Sequence, residues 1–311
     1  ALEELTRNVR IFNGWFTEKE VKNSFKAWGS QLSSENMEKW IKSYALDDIQ
    51  SNKKVGIIMA GNIPLVGFHD YLCCYVAGYK SKIKLSSDDD KLFPAILNIL
   101  NHFDNTVIKR SEIVIAQLKN IDGVIATGSN NSSRYFEQYF GKYPNIIRKS
   151  RTSVAIITGT ESEEELKGLA NDVFAFYGLG CRNVTKVFLP KGYDLDNLFR
   201  AFFPFQYVSE NNKYANNYDY HKAVFIMEQY DLLENGFLIM KEDQSLHSPI
   251  GTLYYEYYSD ASAIQEHLKK FDENIQCIVS KNHIPFGKAQ NPELWDYADN
   301  IDTIDFLLGL K

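Results

Sequence analysis

The chain has 311 residues, 44% of them hydrophobic, which is long enough for two domains with buried cores. Its 40 acidic and 34 basic residues give a formal charge of -6, which argues against a nucleic-acid-binding protein, since such proteins usually present a basic surface. No apolar run approaches the roughly 20 residues that span a bilayer, and the first residues do not resemble a secretory signal. The four cysteines include no CxxC pair and indicate neither a zinc ribbon nor a disulfide framework. We therefore expect a protein of the cytoplasm.

The first half of the chain alternates between helical and strand-like segments. Thr17 with Glu20 predicts a capped helix, and Ser34 predicts the cap of a second. The continuous apolar run VGIIMA (55–60) is typical of a strand buried on both faces of a parallel sheet. Further strands are predicted at KIKL (82–85), SEIVIAQL (111–118) and GVIAT (123–127). Helices are predicted near 65–77 and near 130–140, and a third helix is predicted to start at the acidic residues SSDDD (86–90). This order predicts a doubly wound α/β sheet.

Three strand ends with small and polar residues are expected at one edge of this sheet: AGN (60–62), KLSS (84–87) and TGS (127–129). Ligands of doubly wound sheets bind beyond the carboxyl ends of the strands. Gly128 and Ser129 can seat a phosphate on backbone N–H groups, and Lys84 either reaches solvent or contacts a nucleotide. GxGxxG and GxxxxGK[ST] are both absent, so the sequence contains neither the ordinary dinucleotide fingerprint nor a P-loop.

A second α/β unit is predicted from about residue 150. A capped helix is expected to follow VAIITG (154–159) and to reach Tyr177, and VTKVFLP (184–190) is the next strand. Later strands are predicted at FLIM (237–240), TLYYEYY (252–258) and IQCIVS (275–280), whereas 205–222 is a polar, aromatic stretch and 284–311 begins as a loop.

Cys181 is the first candidate for chemistry, because it ends the glycine-containing turn GLGC (178–181). Such a turn lets a substrate approach the sulfur closely, and a neighbouring backbone N–H can stabilise an oxyanion. The alternative is a buried structural cysteine, and spacing alone does not decide between the two. Cys73 and Cys74 lie in the apolar run LCCYVA and Cys277 lies in a strand, so all three are predicted to pack in the core.

Asn62 ends the first strand, and it either completes a turn or directs its side-chain amide at a developing oxyanion. The apolar side chains of the following helix, Phe68, Leu72 and Tyr75, either line an acyl channel or belong to the core. The six histidines show no metal-ligand spacing, so no metal site is predicted. The absence of GxSxG disfavours a serine hydrolase.

Taken in order, these segments resemble the aldehyde dehydrogenase superfamily. They resemble most closely its branch of acyl-CoA reductases related to the fatty-acid reductase of bacterial luminescence. The similar segments are GNIPLVGFHDYL (61–72), KLSSDD (84–89), ATGSNN (126–131), FYGLGCRNVTKVFLP (176–190), FLIMKEDQSLHSPIG (237–251) and IPFGKAQ (284–290). The resemblance covers about residues 10–311.

This resemblance implies two doubly wound α/β domains with the active site in the cleft between them. Residues 1–150, with a contribution from about 284–311, would form the nucleotide-binding domain, and 151–283 the catalytic cysteine domain. Cys181 would be the nucleophile and Asn62 an oxyanion donor. The cofactor would contact Gly61, Lys84, Ser87, Gly128, Ser129 and, at the nicotinamide ribose, Glu242. We also expect a homo-oligomer.

One departure from the superfamily bears on the reaction. Aldehyde-oxidising members have a Glu-Leu-Gly-Gly motif whose glutamate activates the deacylating water, whereas the corresponding stretch IIRKSRTSV (146–154) contains no carboxylate. The resemblance therefore implies reduction of an acyl-CoA, a fatty acyl thioester, to the aldehyde through an acyl-cysteine. The alternatives are oxidation of an aldehyde to the acid and a catalytically silent nucleotide-binding subunit. The proton donor is open among His69, His247 and His283.

The resemblance also predicts the cofactor. In the superfamily a glutamate three residues after the nucleotide-strand lysine binds the adenosine ribose and repels a 2′-phosphate, and here that position is Ser87. The adjacent carboxylates, Asp88 to Asp90, are expected to face solvent at a helix start. We therefore predict NADPH, with NADH as the alternative.

Overall fold

The computed structural model of the chain, which describes residues 2–46 and 51–310, contains one parallel β-sheet and one largely parallel β-sheet. The first unit comprises Ala1–Ser150 and Glu293–Lys311, and the second comprises Arg151–Pro292. The sequence predicts a return to the first unit near residue 284, whereas the chain returns at Glu293. The reason is that the carboxylate of Asp172, in the second unit, accepts hydrogen bonds from the backbone N–H groups of Gly287 and Ala289.

Three helices open the first unit: α1 (Leu2–Phe12), α2 (Glu18–Gln31) and α3 (Ser34–Ile41). The Thr17 side chain caps α2, as predicted, by accepting the N–H of Glu20. The predicted cap of α3 was wrong by one residue, because Ser33 and not Ser34 has extended backbone angles and accepts the N–H of Asn36.

The sheet of the first unit has five strands in the order β3-β2-β1-β4-β5, with each neighbouring pair parallel. The strands are β1 (Lys54–Ile58), β2 (Lys80–Lys84), β3 (Ser111–Ile113), β4 (Gly123–Thr127) and β5 (Asn145–Arg148), and the helices are α4 (Phe68–Val76), α5 (Leu92–Phe103), α6 (Thr106–Arg110), α7 (Asn130–Phe140) and α12 (Thr303–Leu308). The predicted doubly wound α/β class is confirmed. The order places the carboxyl ends of β2, β1 and β4 side by side.

One predicted helix start in the first unit was wrong, and one open alternative is decided. SSDDD does not start a helix, because α5 begins at Leu92 and Asp89 is buried beneath the turn. Of the two alternatives for the apolar side of α4, core packing holds for Phe68 and Leu72, which are buried in the core. The third residue, Tyr75, directs its hydroxyl to the Asp104 carboxylate.

The sheet of the second unit has the order β11-β6-β7-β10-β9-β8, with only the β8–β9 pair antiparallel among the described strands. Its strands are β6 (Thr152–Ile156), β7 (Val184–Pro190), β8 (Leu233–Glu234), β9 (Ile239–Glu242), β10 (Thr252–Tyr258) and β11 (Ile275–Val279), and its helices are α8 (Glu163–Phe174), α9 (Asp196–Phe202), α10 (Asn212–Met227) and α11 (Ala261–Lys269). The stretch 205–222, predicted only as polar and aromatic, is largely helical. Asn211 caps α10, and Tyr214, Tyr218 and Phe225 bury one side of it.

Within residues 2–46 and 51–310, no helix is both long and apolar enough to cross a membrane.

Candidate active site

Cys181 lies in the turn between α8 and β7, and it is exposed. Helix α8 ends at Phe174, three residues before the predicted end, because three successive residues adopt left-handed backbone angles. Their φ values are 51° for Phe176, 58° for Tyr177 and 79° for Gly178. Left-handed angles are unfavourable for bulky residues, so the surrounding contacts must maintain this turn.

Asn183 supplies many of those contacts, and its side chain is completely buried. Its Oδ1 accepts the N–H of Gly180 at 2.8 Å. Its Nδ2 donates to the carbonyl oxygens of Asp172, Val173 and Ala175 at 3.1, 3.2 and 2.8 Å. One amide thus satisfies carbonyls at the end of α8 and an N–H of the cysteine turn. Asn183 is not among the predicted site residues, although its position two residues after Cys181 is a signal that could have identified it.

Asp172 connects the end of α8 to the loop 286–289. It is buried, and its carboxylate accepts the N–H of Gly287 at 2.6 Å and that of Ala289 at 3.1 Å. Burial raises the pKa of Asp172 to about 7. The loop also approaches α8 closely, since a Cβ on Gly168 would lie 2.8 Å from the Phe286 carbonyl carbon. The loop 286–289 therefore packs against α8, the helix that precedes the cysteine turn.

In the first unit, Asn62 lies in the turn between β1 and α4 and is exposed. Leu65 in the same turn has a φ of 62°, and Asp89 accepts its N–H at 3.0 Å. The expectation that Asp88 to Asp90 all face solvent was therefore wrong for Asp89, which points inward. Burial raises the pKa of Asp89 to about 6.

The predicted cofactor residues of the first unit lie at the carboxyl ends of three adjacent strands. Gly61 is buried, and a Cβ there would lie 2.8 Å from Cβ of Ser86, so the turns after β1 and β2 pack tightly. A Cβ on Gly128 would lie 2.9 Å from Cβ of Ser132, so this position also excludes a side chain. The remaining predicted residues are half-buried Lys84, the last residue of β2, exposed Ser87, and exposed Ser129, which caps α7.

Glu242 and Cys181 lie towards opposite ends of the sheet in the second unit. Glu242 is the exposed last residue of β9, and Tyr255 of β10 pairs with both Glu242 and Val187. Cys181 instead precedes Val184, the first residue of β7. The three residues from Val184 to Val187 span about 10 Å along the strand. The structure therefore does not bring Glu242 next to Cys181 within this unit.

The amino end of β10 does lie beside the cysteine turn. A cavity of about 20 Å³ there is lined by residues that include Tyr177, Gly178, Thr185, Tyr214, Ser248 and Thr252. Among the described residues, none hydrogen-bonds to the buried hydroxyl of Thr252. The volume suits one water molecule and is too small for a fatty acyl chain.

The three candidate proton donors have different surroundings. His69 packs against Trp40, with 5.5 Å between ring centroids, and its Nε2 lies 2.9 Å from the Leu294 carbonyl oxygen, so it belongs to the core of the first unit. Nδ1 of His283 lies 2.8 Å from Oγ of Ser280. Desolvation lowers the pKa of His247, in the loop that leads to β10. Across the described part of the chain, no group of three His, Cys, Asp or Glu side chains could bind a metal ion.

The chain is similar to one known protein family and to several solved structures. Residues 13–199, about three fifths of the chain, match the family described as acyl-CoA reductase (LuxC). No curated protein matches the chain significantly.

Solved aldehyde dehydrogenases have a similar fold. For the NAD-dependent enzyme from Sinorhizobium meliloti the TM-score is 0.65 at 12% identity, over 89% of this chain and 66% of that one. For aldehyde dehydrogenase 21 from Physcomitrella patens, in complex with the reaction product succinate, the TM-score is 0.63 at 14% identity, over 90% of this chain and 70% of that one. For the Mycobacterium tuberculosis enzyme complexed with NAD+ the TM-score is 0.54 at 18% identity, over 68% of this chain and 54% of that one. The chain thus spans about half to two thirds of the length of these proteins, and the likeness shows the fold alone.

Proposed function

Because the chain belongs to the acyl-CoA reductase (LuxC) family, we propose that it reduces an acyl thioester, a fatty acyl-CoA, to the aldehyde, with NADPH as the hydride source. The observation on which this depends most is the exposed Cys181 on a turn whose backbone is fixed by buried Asn183. Both Cys181 and Asn62 lie within the part of the chain that matches the family. The net reaction converts acyl-CoA, NADPH and a proton into the aldehyde, CoA and NADP+.

Cys181 acts first in this proposal. Its thiolate attacks the carbonyl carbon of the thioester, a new C–S bond forms, and the C–S bond to CoA breaks as the CoA thiolate leaves and takes up a proton. The Cys181 N–H and the Asn62 side-chain amide stabilise the oxyanion. A fixed turn favours this step, because donors that are already oriented need no reorganisation during the reaction.

The first unit fits a nicotinamide dinucleotide. Gly61 and Gly128 follow β1 and β4 at the carboxyl edge of the sheet, and Ser129 caps α7 at the same edge, where the first turn of a helix and the strand ends can bind a phosphate. We assign binding of the dinucleotide to Gly61, Lys84, Ser87, Gly128 and Ser129, and of its nicotinamide ribose to Glu242. When bound, the reduced nicotinamide supplies the hydride that converts the acyl group to the aldehyde.

Two side chains favour NADPH over NADH. Ser87 is exposed and uncharged where the superfamily has a glutamate, and Lys84 adds a positive charge at the end of β2. Asp89 does not oppose a 2′-phosphate, because it is buried against the N–H of Leu65.

The stretch 146–154, which runs from β5 into β6, favours reduction over hydrolysis of the acyl-enzyme. Residues 146–154 contain no carboxylate that could activate water. Arg148 in this stretch is buried and ion-paired with Asp70 at 2.8 Å, so it is occupied within the first unit. Without a carboxylate in this stretch to act as a general base for water, hydrolysis of the acyl-cysteine is disfavoured relative to its reduction. This disfavours the alternative of aldehyde oxidation to the acid.

The test is to incubate the protein with long-chain acyl-CoA and to follow oxidation of NADPH and of NADH, together with aldehyde formation and the mass of any acyl adduct on Cys181. We expect NADPH oxidation coupled to aldehyde release, and no adduct in Cys181→Ala. Absence of cofactor oxidation with every chain length would overturn the proposal. Conversion of aldehyde to acid with reduction of NADP+ or NAD+ would support the oxidative alternative.

A further inference from the structure

Ser153, in β6, hydrogen-bonds to the backbone of Cys181, the proposed nucleophile. Its side chain is completely buried. Its Oγ donates a hydrogen bond to the carbonyl oxygen of Cys181 at 3.0 Å and accepts the N–H of Cys277 at 3.2 Å. Its own N–H donates to the Asn183 carbonyl oxygen at 3.2 Å. Ser153 thus bonds the cysteine turn with both its backbone and its side chain.

Strand pairing is irregular on both sides of Ser153. In the β6–β7 pair, Ser153 is opposite Val184 and Val154 is opposite Lys186, so β7 has one extra residue there. In the β6–β11 pair, Thr152 is opposite Ile275 and Val154 is opposite Ile278, so two residues of β11 face Ser153 alone. Bulges leave ladder groups without backbone partners and are frequent next to active sites. At the β11 bulge, the Ser153 hydroxyl supplies the partner for the N–H of Cys277.

The backbone on both sides of Cys181 is held by these contacts. The Gly180 carbonyl oxygen accepts the N–H of Asn183 at 3.0 Å, which orients the peptide plane before Cys181. Ser153 orients the plane after it through the Cys181 carbonyl oxygen. With both planes held, the Cys181 N–H points in one direction, and the thiol moves mainly by rotation about χ1.

We infer that Ser153 is a positioning residue for the reaction at Cys181. Its hydroxyl holds the peptide after the nucleophile, and this preorganises the sulfur and the N–H that stabilises the oxyanion. The inference rests on the proposed function, because it takes Cys181 as the nucleophile.

The test compares Ser153→Ala, which deletes the hydroxyl, with Ser153→Thr, which keeps one. Ser153→Cys replaces Ser153→Ala if the alanine variant does not fold, since a thiol is only a weak donor. Tyr258→Phe is the matched control, because it deletes another hydroxyl of the second unit, one that donates to the Ile157 carbonyl oxygen at 2.7 Å. Two rates are measured in the full chain: acylation of Cys181 by long-chain acyl-CoA, and alkylation of Cys181 by iodoacetamide across pH, both by peptide mass.

We expect acylation at saturating acyl-CoA to slow by about ten-fold or more in Ser153→Ala, as for other misplaced catalytic groups. The KM should not change, Ser153→Thr should recover most of the rate, and Tyr258→Phe should match the wild type. Equal acylation rates in wild type and Ser153→Ala would overturn the inference. If the wild type is not acylated at all, the proposed function is wrong, and the role of Ser153 is then tested by the pH dependence of Cys181 alkylation alone. An alkylation profile that is unchanged in Ser153→Ala overturns the positioning role. A shifted profile supports it.

Discussion

The buried carboxylate of Asp172 accepts the backbone N–H of Gly287 at 2.6 Å, and it thereby joins the end of α8 to a loop more than a hundred residues later in the chain. The same residue offers its carbonyl oxygen to Nδ2 of Asn183 at 3.1 Å. The cysteine turn, the helix before it and the loop 286–289 are therefore hydrogen-bonded to one another through two buried side chains. Changes at either side chain should affect both the stability of the second unit and the reactivity of Cys181.

The first prediction concerns pH. Burial raises the pKa of Asp172 from 3.8 to about 7 in the folded protein. Between pH 3.8 and about pH 7 the folded state therefore binds more protons than the unfolded state. As a result, the contribution of Asp172 to the free energy of unfolding is fully present below about pH 4 and is lost as the pH rises to about 7. The slope for one proton is at most about 1.4 kcal/mol per pH unit. Asp89, with a pKa of about 6, acts in the same direction.

Urea unfolding of wild type and Asp172→Asn at a series of pH values measures this effect. The asparagine variant should be less stable overall, because its NH₂ group opposes one of the two backbone donors, but its stability should fall less steeply between about pH 4 and pH 7. Identical slopes in the two proteins would contradict the assignment to Asp172.

The second prediction concerns Asn183. Asn183→Ala leaves the Gly180 N–H and several buried carbonyl oxygens of α8 without their side-chain partner. Each buried polar group that loses its partner costs about 1–3 kcal/mol, so we expect the free energy of unfolding to fall by at least about 2 kcal/mol. Asn217→Ala is the control, since Asn217 is only half-buried and the hydrogen bond from its Nδ2 to the Lys213 carbonyl oxygen is exposed to solvent. Equal losses in the two variants, measured by urea unfolding, would contradict the organising role of Asn183.

The third prediction concerns the buried ion pair of the first unit. Arg148 donates to Asp70 at 2.8 Å and to the Thr303 hydroxyl at 3.0 Å. Arg148→Met leaves a buried carboxylate unpaired, which should lower the free energy of unfolding by about 3–5 kcal/mol. The double variant Arg148→Met, Asp70→Leu should recover much of this loss, because it removes both charges. Thermal unfolding of the three proteins tests this, and a double variant no more stable than Arg148→Met would refute it.

Local sequence patterns were sufficient to predict most of the elements that lie near the candidate site. The apolar run at VGIIMA, the capped start of α8 and the turn at 178–181 have short-range causes, namely burial, capping and glycine conformation. The cap of α8 is Ser162, whose side chain accepts the N–H of Glu165. Such causes can be read from neighbouring residues. The helix over 212–227 was missed because two of its three buried side chains are tyrosines, which have both polar and apolar parts.

The contacts that hold the cysteine turn depend on residues far apart in the sequence, and these could not be predicted from it. Asp172 bonds to residue 287, and Ser153 bonds to residues 181 and 277. No local pattern distinguishes these polar residues from surface ones. The inward orientation of Asp89 has the same origin, because its partner is Leu65 in another turn.

The last prediction concerns cofactor preference. Ser87→Glu places a carboxylate where the superfamily glutamate repels a 2′-phosphate, so it should weaken NADPH binding about ten-fold or more and leave NADH binding nearly unchanged. Ser87→Ala is the matched control, since it removes the hydroxyl without adding charge and separates a lost hydrogen bond from repulsion. Titration of both reduced cofactors by fluorescence gives the Kd values. Because Asp89 is turned towards the Leu65 N–H, Asp89→Asn should not alter the ratio of the two Kd values through charge. Equal effects of Ser87→Glu on both cofactors, or none, would mean that Ser87 does not lie at the ribose.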